Sequence, residues 1–151
     1  MVFSEEIIFF NQECADKQAA LKKLADQFQQ KKLVKESFYQ AILDRENNYP
    51  TGLSINGIGV AIPHTDAVHV NKSQIGFMSL AKPVVFKDMV DDQHEIEVSV
   101  IFMLGLLKSG QQVEMLQKLV ALFQDKSLLE EVIACSDRAE FKAIMKKADI
   151  Y

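Results

Sequence analysis

The residue with the clearest chemical potential in this sequence is a histidine that directly follows a proline at the end of an apolar run. Gly57–Ile62 is apolar and contains β-branched residues, and Pro63 and His64 follow it. Val60–Ile62 therefore predicts a short buried strand. Because proline has no backbone N–H, Pro63 is expected to mark the last rung of that strand, so that the His64 ring lies at a rigid strand end and can face solvent. Imidazole is largely neutral near pH 7, which leaves one ring nitrogen free to act as a nucleophile.

Neither a metal motif nor a nucleotide motif accompanies this histidine. His64 and His69 are five residues apart in a predicted loop, and no cysteine or glutamate cluster completes a ligand set, which argues against zinc. His69 is expected at the rim of a site around His64, and His94 is expected to be a solvated loop residue. Ser54–Gly59 lacks the lysine and the spacing of a phosphate-binding loop. ATP binding is therefore not expected, and a phosphoryl group would have to arrive already activated.

Length and composition narrow the class of protein. The chain has 151 residues, of which 48% are hydrophobic and 25% charged, so we expect one globular domain over residues 1–151. The formal net charge of −4 argues against nucleic-acid binding, which needs clustered lysine and arginine. The sequence shows no secretory signal and no apolar run near the roughly 20 residues that span a bilayer. Cys14 and Cys135 are isolated and are expected to be free thiols, which indicates a cytoplasmic protein without direct membrane insertion.

Strand and helix patterns are mixed along the chain and predict an α/β fold. Glu97–Leu104 is almost continuously apolar, so it is expected to be a central strand buried on both faces. The absence of repeats and linkers favours a single-domain three-layer α/β/α sandwich around a mixed β-sheet. The other predicted elements are strands at Ile7–Phe10, Val60–Ile62 and Ile75–Leu80, with Lys82–Phe86 as a candidate further strand; helices at Ala15–Gln30 (capped by Asn11 or Asp16), Lys35–Glu46, Gln111–Gln124, Leu128–Ile133 and Ala139–Lys147; and an exposed turn at Asp88–His94.

Three segments precede or contain His64 in a recognisable order: Ala41–Glu46, Tyr49–Leu53 and Gly57–Asp66. Together they resemble the helix, the loop and the histidine-bearing strand of the fructose/mannitol-type enzyme IIA domains of the bacterial sugar phosphotransferase system. In that family the last segment reads as an apolar run from glycine that ends in Pro-His. The second histidine, His69, makes the chain most similar to the galactitol-type branch. The resemblance covers essentially the whole chain.

The resemblance implies a phosphotransferase that acts as a phosphocarrier. A ring nitrogen of His64, Nε2 in the family, would accept a phosphoryl group from phospho-HPr and pass it to a cysteine of enzyme IIB, which serves the membrane component enzyme IIC. The guanidinium of Arg45 would hold the phosphoryl oxygens bidentately. No cofactor is implied. Because both partners must bind, transfer and leave, we expect an apolar face with a polar rim around His64.

Gln112 marks the main departure from the mannitol-type pattern, which has a second histidine at this position. A glutamine can donate a neutral hydrogen bond to a phosphoryl oxygen but cannot carry a positive charge. Gln112 is therefore expected either to position the phosphoryl group or only to cap the helix that begins after Gly110. The helix N-terminus near Gly110–Gln112 would also offer free N–H groups to an anion. An alternative function is a regulatory module in which the phosphorylation state of His64 controls a protein partner instead of sugar transport.

Overall fold

Five strands pair into one mixed sheet that carries helices on both faces. The computed structural model describes all residues 1–151, and the strand order is β1-β4-β5-β3-β2. The pairs β1/β4 and β3/β5 are parallel, whereas β2/β3 and β4/β5 are antiparallel. In chain order the elements are β1 (Ile8–Gln12), α1 (Lys17–Gln30), α2 (Phe38–Asn48), β2 (Gly52–Ile55), β3 (Ile58–Ala61), a 3₁₀ turn (Ala67–His69), β4 (Gln74–Lys87), β5 (Glu95–Gly105), α3 (Ser109–Gln124), α4 (Lys126–Ala134) and α5 (Arg138–Lys147).

The sheet separates two apolar clusters, which confirms the predicted three-layer α/β/α fold. One cluster packs α3, α4 and α5 against the sheet, and the other packs α1 and α2 against the opposite face. Consecutive residues of β5 alternate between them: Phe102 packs near Phe123 of α3, while Ile101 belongs to the cluster that contains Phe28 of α1. Because β5 contributes to both clusters, the prediction of a central strand buried on both faces is confirmed.

The predicted helices all form, with ends shifted by a few residues. α1 begins at Lys17, and the carboxylate of Asp16 accepts a hydrogen bond from the backbone N–H of Ala19 at 2.8 Å. Asp16, and not Asn11, is therefore the N-cap residue.

Lys82–Phe86, the candidate further strand, is extended, but it is the C-terminal half of β4 and not a separate strand. Gln74–Lys87 forms one strand along β5, with an irregularity in the pairing between Ser79 and Val84. Pro83 lies within this irregularity, where its missing N–H breaks no ladder bond. The exposed turn predicted at Asp88–His94 is present between β4 and β5.

Candidate functional site

A short hairpin sets the position of the strand that leads to His64. β2, whose sequence is typical of a loop, pairs with β3 along its whole length. The connecting residues Asn56 and Gly57 have positive φ values of 54° and 79°, typical of a tight hairpin turn. A Cβ atom at Gly59 would overlap the carbonyl oxygen of Glu97, so only glycine lets β3 lie this close to β5.

Pairing with β5 continues beyond Pro63. The carbonyl oxygen of Pro63 accepts a hydrogen bond from the N–H of Leu104 at 3.0 Å, and His64 forms a parallel bridge with Leu104. The prediction that Pro63 marks the last rung is therefore wrong, because proline lacks only the donor and keeps its acceptor. As a result, the backbone that leads into His64 is attached to the central strand.

The His64 ring is held in one tautomer. Its Nδ1 lies 2.7 Å from the carbonyl oxygen of Ile62. A carbonyl oxygen can only accept, so Nδ1 must carry the proton and donate. In the neutral ring Nε2 then has no proton and presents a free lone pair. The hydrogen bond thus identifies Nε2 as the ring nitrogen that is free to react.

His64 is more buried than the sequence indicated. Only 8% of the residue surface is exposed, so the expectation that the ring faces solvent is wrong. Burial lowers the pKa of His64, and the positive charge of Arg45 lowers it further; the hydrogen bond to Ile62 and the carboxylate of Asp66 oppose this shift. Because the charged form is disfavoured, the imidazole is neutral, and therefore nucleophilic, at neutral pH.

An apolar groove borders His64 on the side of α3. It runs between the strand end at Ile62 and one face of α3, and the exposed side chain of Met89 borders it. The α3 residues repeat at helical spacing, and two glutamines lie among them: Leu116, Gln117, Val120, Ala121 and Gln124. His64 itself lines this groove, so an apolar surface borders the ring on its α3 side.

A polar depression lies on the other side of the strand end and contains Arg45 and His69. The Arg45 guanidinium is 4.0 Å from a carboxylate oxygen of Asp66 and 5.2 Å from the centre of the Tyr49 ring. Its Nε is buried and has no hydrogen-bond partner within the chain. His69 Nδ1 lies 2.7 Å from the hydroxyl oxygen of Ser37, and both residues line this depression together with Arg45.

Gln112 lies in the first turn of α3, one turn before Leu116 and on the same stripe of the helix. The N-cap residue of α3 is Lys108 and no side chain caps this helix, so the alternative in which Gln112 is only a cap is wrong. The N–H of Gln112 is bonded to the carbonyl oxygen of Lys108 at 3.1 Å and is not available to an anion. The free N–H groups of this helix end are those of Ser109, Gly110 and Gln111.

Two buried polar residues near the strand end were not singled out from the sequence. Glu46 and Thr51 are each only 2% exposed. One Glu46 carboxylate oxygen accepts the Thr51 N–H at 2.7 Å and the other accepts the Thr51 hydroxyl at 2.8 Å, while the hydroxyl oxygen accepts the N–H of Ile62 at 3.2 Å. Burial raises the pKa of Glu46 against the effect of both Thr51 bonds. Helical spacing from the buried Ile42 to Glu46 was the available signal.

This arrangement of residues can support nucleophilic attack by the imidazole on an electrophile that carries negative charge. A neutral imidazole offers its free Nε2, while Arg45 and the N–H groups of α3 offer positive charge and donors. No group of three or more histidine, cysteine, aspartate or glutamate side chains is arranged to hold a metal ion. None of the helices combines the length and the apolar character needed to cross a membrane.

Comparison with known proteins identifies the family. Residues 1–148 match the family described as phosphoenolpyruvate-dependent sugar phosphotransferase system, EIIA 2. The galactitol-specific EIIA component of Escherichia coli (strain K12) is 28% identical over 118 residues, 78% of this chain and 78% of its own. The mannitol-specific enzyme IIA component of Staphylococcus aureus (strain N315) is 27% identical over 149 residues, 98% of this chain and 97% of its own. The crystal structure of IIA mannitol from Escherichia coli has the same fold, with a TM-score of 0.74 and 23% identity over 93% of this chain and 96% of its own. The chain therefore belongs to the EIIA 2 family of the phosphoenolpyruvate-dependent sugar phosphotransferase system and is a phosphotransferase of that system.

Proposed function

We propose that this protein is a phosphocarrier in which Nε2 of His64 accepts a phosphoryl group from phospho-HPr and passes it to a cysteine of enzyme IIB. The observation that carries the proposal is the 2.7 Å contact between Nδ1 and the Ile62 carbonyl, which leaves Nε2 free. In the first step the bond from Nε2 to phosphorus forms as the donor's nitrogen–phosphorus bond breaks, and the donor ring keeps the electron pair. In the second step a thiolate sulfur attacks phosphorus, and the bonding pair returns to Nε2.

The hydrogen bond to Ile62 supports both steps without a proton transfer. When Nε2 binds phosphorus, the ring gains positive charge while Nδ1 keeps its proton. The Ile62 carbonyl then accepts from a charged donor, and hydrogen bonds of that kind are stronger than neutral ones. The fixed carbonyl therefore stabilises the phosphorylated ring, and it does so with little reorganisation because it is already in place.

Three sets of donors are proposed to hold the phosphoryl oxygens. Arg45 contributes a guanidinium whose Nε has no partner. The first turn of α3 contributes the free N–H groups of Ser109, Gly110 and Gln111 at the positive end of the helix dipole. Gln112, whose side chain makes no hydrogen bond within the chain, contributes a neutral amide donor. Positioning and charge stabilisation are what phosphoryl transfer requires of a protein.

The apolar groove between Ile62 and α3 is the proposed docking surface for both protein partners. It opens beside His64, so a partner bound there would bring its own reactive atom to Nε2. Leu116 and Val120 give the apolar centre, and Gln117 and Gln124 give polar contacts, the composition typical of an interface that must also dissociate.

The transported compound is proposed to be a six-carbon sugar alcohol, with galactitol as the first candidate. Galactitol and mannitol are the compounds for which the two reported relatives are named, and the His64–His69 segment is most similar to the galactitol-type branch. A purely regulatory module would share the first phosphorylation step and would lack transfer to an enzyme IIB. The test must therefore include the acceptor.

The experiment uses purified protein with phosphoenolpyruvate, enzyme I and HPr, followed by enzyme IIB of the galactitol or the mannitol system. One acid-labile phosphate per chain should appear, and His64→Ala should accept none, while His94→Gln, an exposed control in the turn before β5, should be labelled normally. Chase into a cysteine of enzyme IIB supports transport. Labelling of His64→Ala would overturn the assignment, and normal labelling without transfer to either enzyme IIB would favour the regulatory alternative.

A further inference from the structure

The buried carboxylate of Glu46 lies at the end of α2, where the helix dipole disfavours negative charge. Glu46 is in the last turn of α2, near the negative end of the helix dipole, and it forms no salt bridge. An unpaired buried carboxylate costs stability, so Glu46 is a local departure from what a stable fold prefers. Departures of this kind concentrate at functional positions, and Glu46 directly follows Arg45 in the chain.

Thr51 converts this carboxylate into a support for the strand end. Both donors of Thr51, its N–H and its hydroxyl, are bound by the two oxygens of Glu46 at 2.7 and 2.8 Å. The hydroxyl oxygen then accepts the N–H of Ile62, which lies one residue beyond the last paired residue of β3. A side-chain acceptor thus replaces the ladder partner that the β2–β3 pairing no longer provides.

The same residue, Ile62, holds His64. Its carbonyl oxygen accepts from Nδ1, and its N–H donates to the Thr51 hydroxyl, so the backbone of Ile62 links the Glu46–Thr51 pair to the His64 ring. At the Glu46 end of this set of hydrogen bonds, the side chains of successive α2 residues point about 100° apart around the helix axis. Glu46 therefore faces the strand end while Arg45 faces the polar depression.

We propose that Glu46 and Thr51 are positioning residues that fix the tautomer of His64 and tie the helix carrying Arg45 to the strand end carrying His64. The proposal rests on the proposed phosphorylation of His64. It extends that function to two residues that touch neither the phosphoryl group nor the reacting nitrogen. They act on the His64 ring through the backbone of Ile62, and on Arg45 through the last turn of α2.

The test compares Thr51→Val, which keeps the shape and loses the hydroxyl, with Thr51→Ser, which restores it. Two quantities are measured: the rate of phosphorylation by phospho-HPr, and the tautomer of the unphosphorylated His64 ring by ¹⁵N NMR. Thr51→Val should populate the tautomer with the proton on Nε2 and slow phosphorylation by about ten- to a hundredfold, as a small misplacement of reacting groups does. Thr51→Ser should recover both.

Ser79→Ala is the matched control. Ser79 is also 2% exposed, and its hydroxyl oxygen also accepts a backbone N–H, that of Asn11 at 2.9 Å, but it lies on β4, two strands away from β3. This variant should lower the melting temperature without changing the His64 tautomer or the rate. If Thr51→Val does not fold, Glu46→Gln replaces it in the test, because the glutamine amide retains one acceptor oxygen for Thr51. Because Glu46 acts through Arg45 as well, Glu46→Gln combined with Arg45→Ala should be less damaging than the two single effects multiplied.

A folded Thr51→Val or Glu46→Gln protein with the parent tautomer and the parent rate would overturn the proposal. Equal loss in Ser79→Ala would overturn it as well, since the effect would then follow stability. Failure of the parent protein to accept phosphate at His64 would instead refute the proposed function. The tautomer measurement needs no phosphorylation, so it would still test whether Glu46 and Thr51 fix the His64 tautomer.

Discussion

Replacing Arg45 by alanine tests whether its guanidinium stabilises the phosphoryl group. A hydrogen bond to a charged group contributes about 1.5–3 kcal/mol. The Arg45 side chain is 39% exposed, and solvent screens part of its charge, so the lower end of about 1.5–2 kcal/mol applies. That loss corresponds to a rate of phosphoryl transfer lower by about ten- to thirtyfold. Arg45→Lys keeps the charge and loses the planar fork, so it should fall between the parent and the alanine variant.

The assay is the single-turnover rate of transfer from phospho-HPr to the protein, measured in both directions. A second readout comes from His64 itself, because Arg45 lowers its pKa: in Arg45→Ala the pKa of His64 should rise, visible by NMR titration of the ring. Arg138→Ala is the control, since Arg138 is an exposed arginine that contacts Glu6 at 3.7 Å and is distant in the fold from α2. Parent rates in both directions for Arg45→Ala would refute the role of the guanidinium, whatever happens to the pKa.

Further predictions concern the titration of His64 and the role of the Gln112 side chain. Burial places the pKa of folded His64 below its ordinary value of about 6.5, so NMR should show the ring still neutral when the pH falls through that value; titration above it would contradict the assigned burial. At a pH between the pKa of His64 in the unfolded chain and its lower pKa in the folded protein, the unfolded chain binds more protons. The free energy of unfolding, measured in urea, should therefore fall as the pH falls through this window, and His64→Gln should remove this contribution. Gln112→Ala should slow transfer by about two- to twelvefold through loss of one neutral hydrogen bond, with an unchanged melting temperature; a parent rate would exclude Gln112 from the site. Gln112→His should restore a titratable group and make the rate depend on pH near the imidazole pKa.

The order of strands and helices could be predicted because each main element carries its own periodic pattern. β5 is recognisable from its continuous apolar run, and the helices from apolar residues at helical spacing. β2 was missed because Gly52–Ile55 is only four residues long and follows Pro50 and Thr51, which read as a loop. It becomes a strand only because β3 lies beside it, and that pairing is invisible in the local sequence.

The candidate site residues come from the sequence where the chemistry is carried by one residue and its neighbours in the chain. The Pro-His segment singles out His64, and the family resemblance singles out Arg45 and Gln112; their roles stay predictions. The burial of His64 was not expected, because it depends on how the strand end packs in the folded chain, which the local sequence does not show. Thr51 was missed for a related reason: its role depends on the contact with Ile62 across the hairpin, and a threonine after a proline is ordinary in a turn.

The division of the molecule into two clusters has a consequence for how such proteins can diversify. Ala61 belongs to the cluster formed by α1 and α2, and the next residue, Ile62, belongs to the cluster formed by α3, α4 and α5. The outward residues of α3 that border the groove, such as Gln117 and Ala121, belong to neither cluster. Side chains at these positions can therefore change without disturbing either cluster or the hydrogen bond that orients the His64 ring. Under the proposed function, exchange of these few positions is a route to redirecting the carrier toward another acceptor without rebuilding its chemistry.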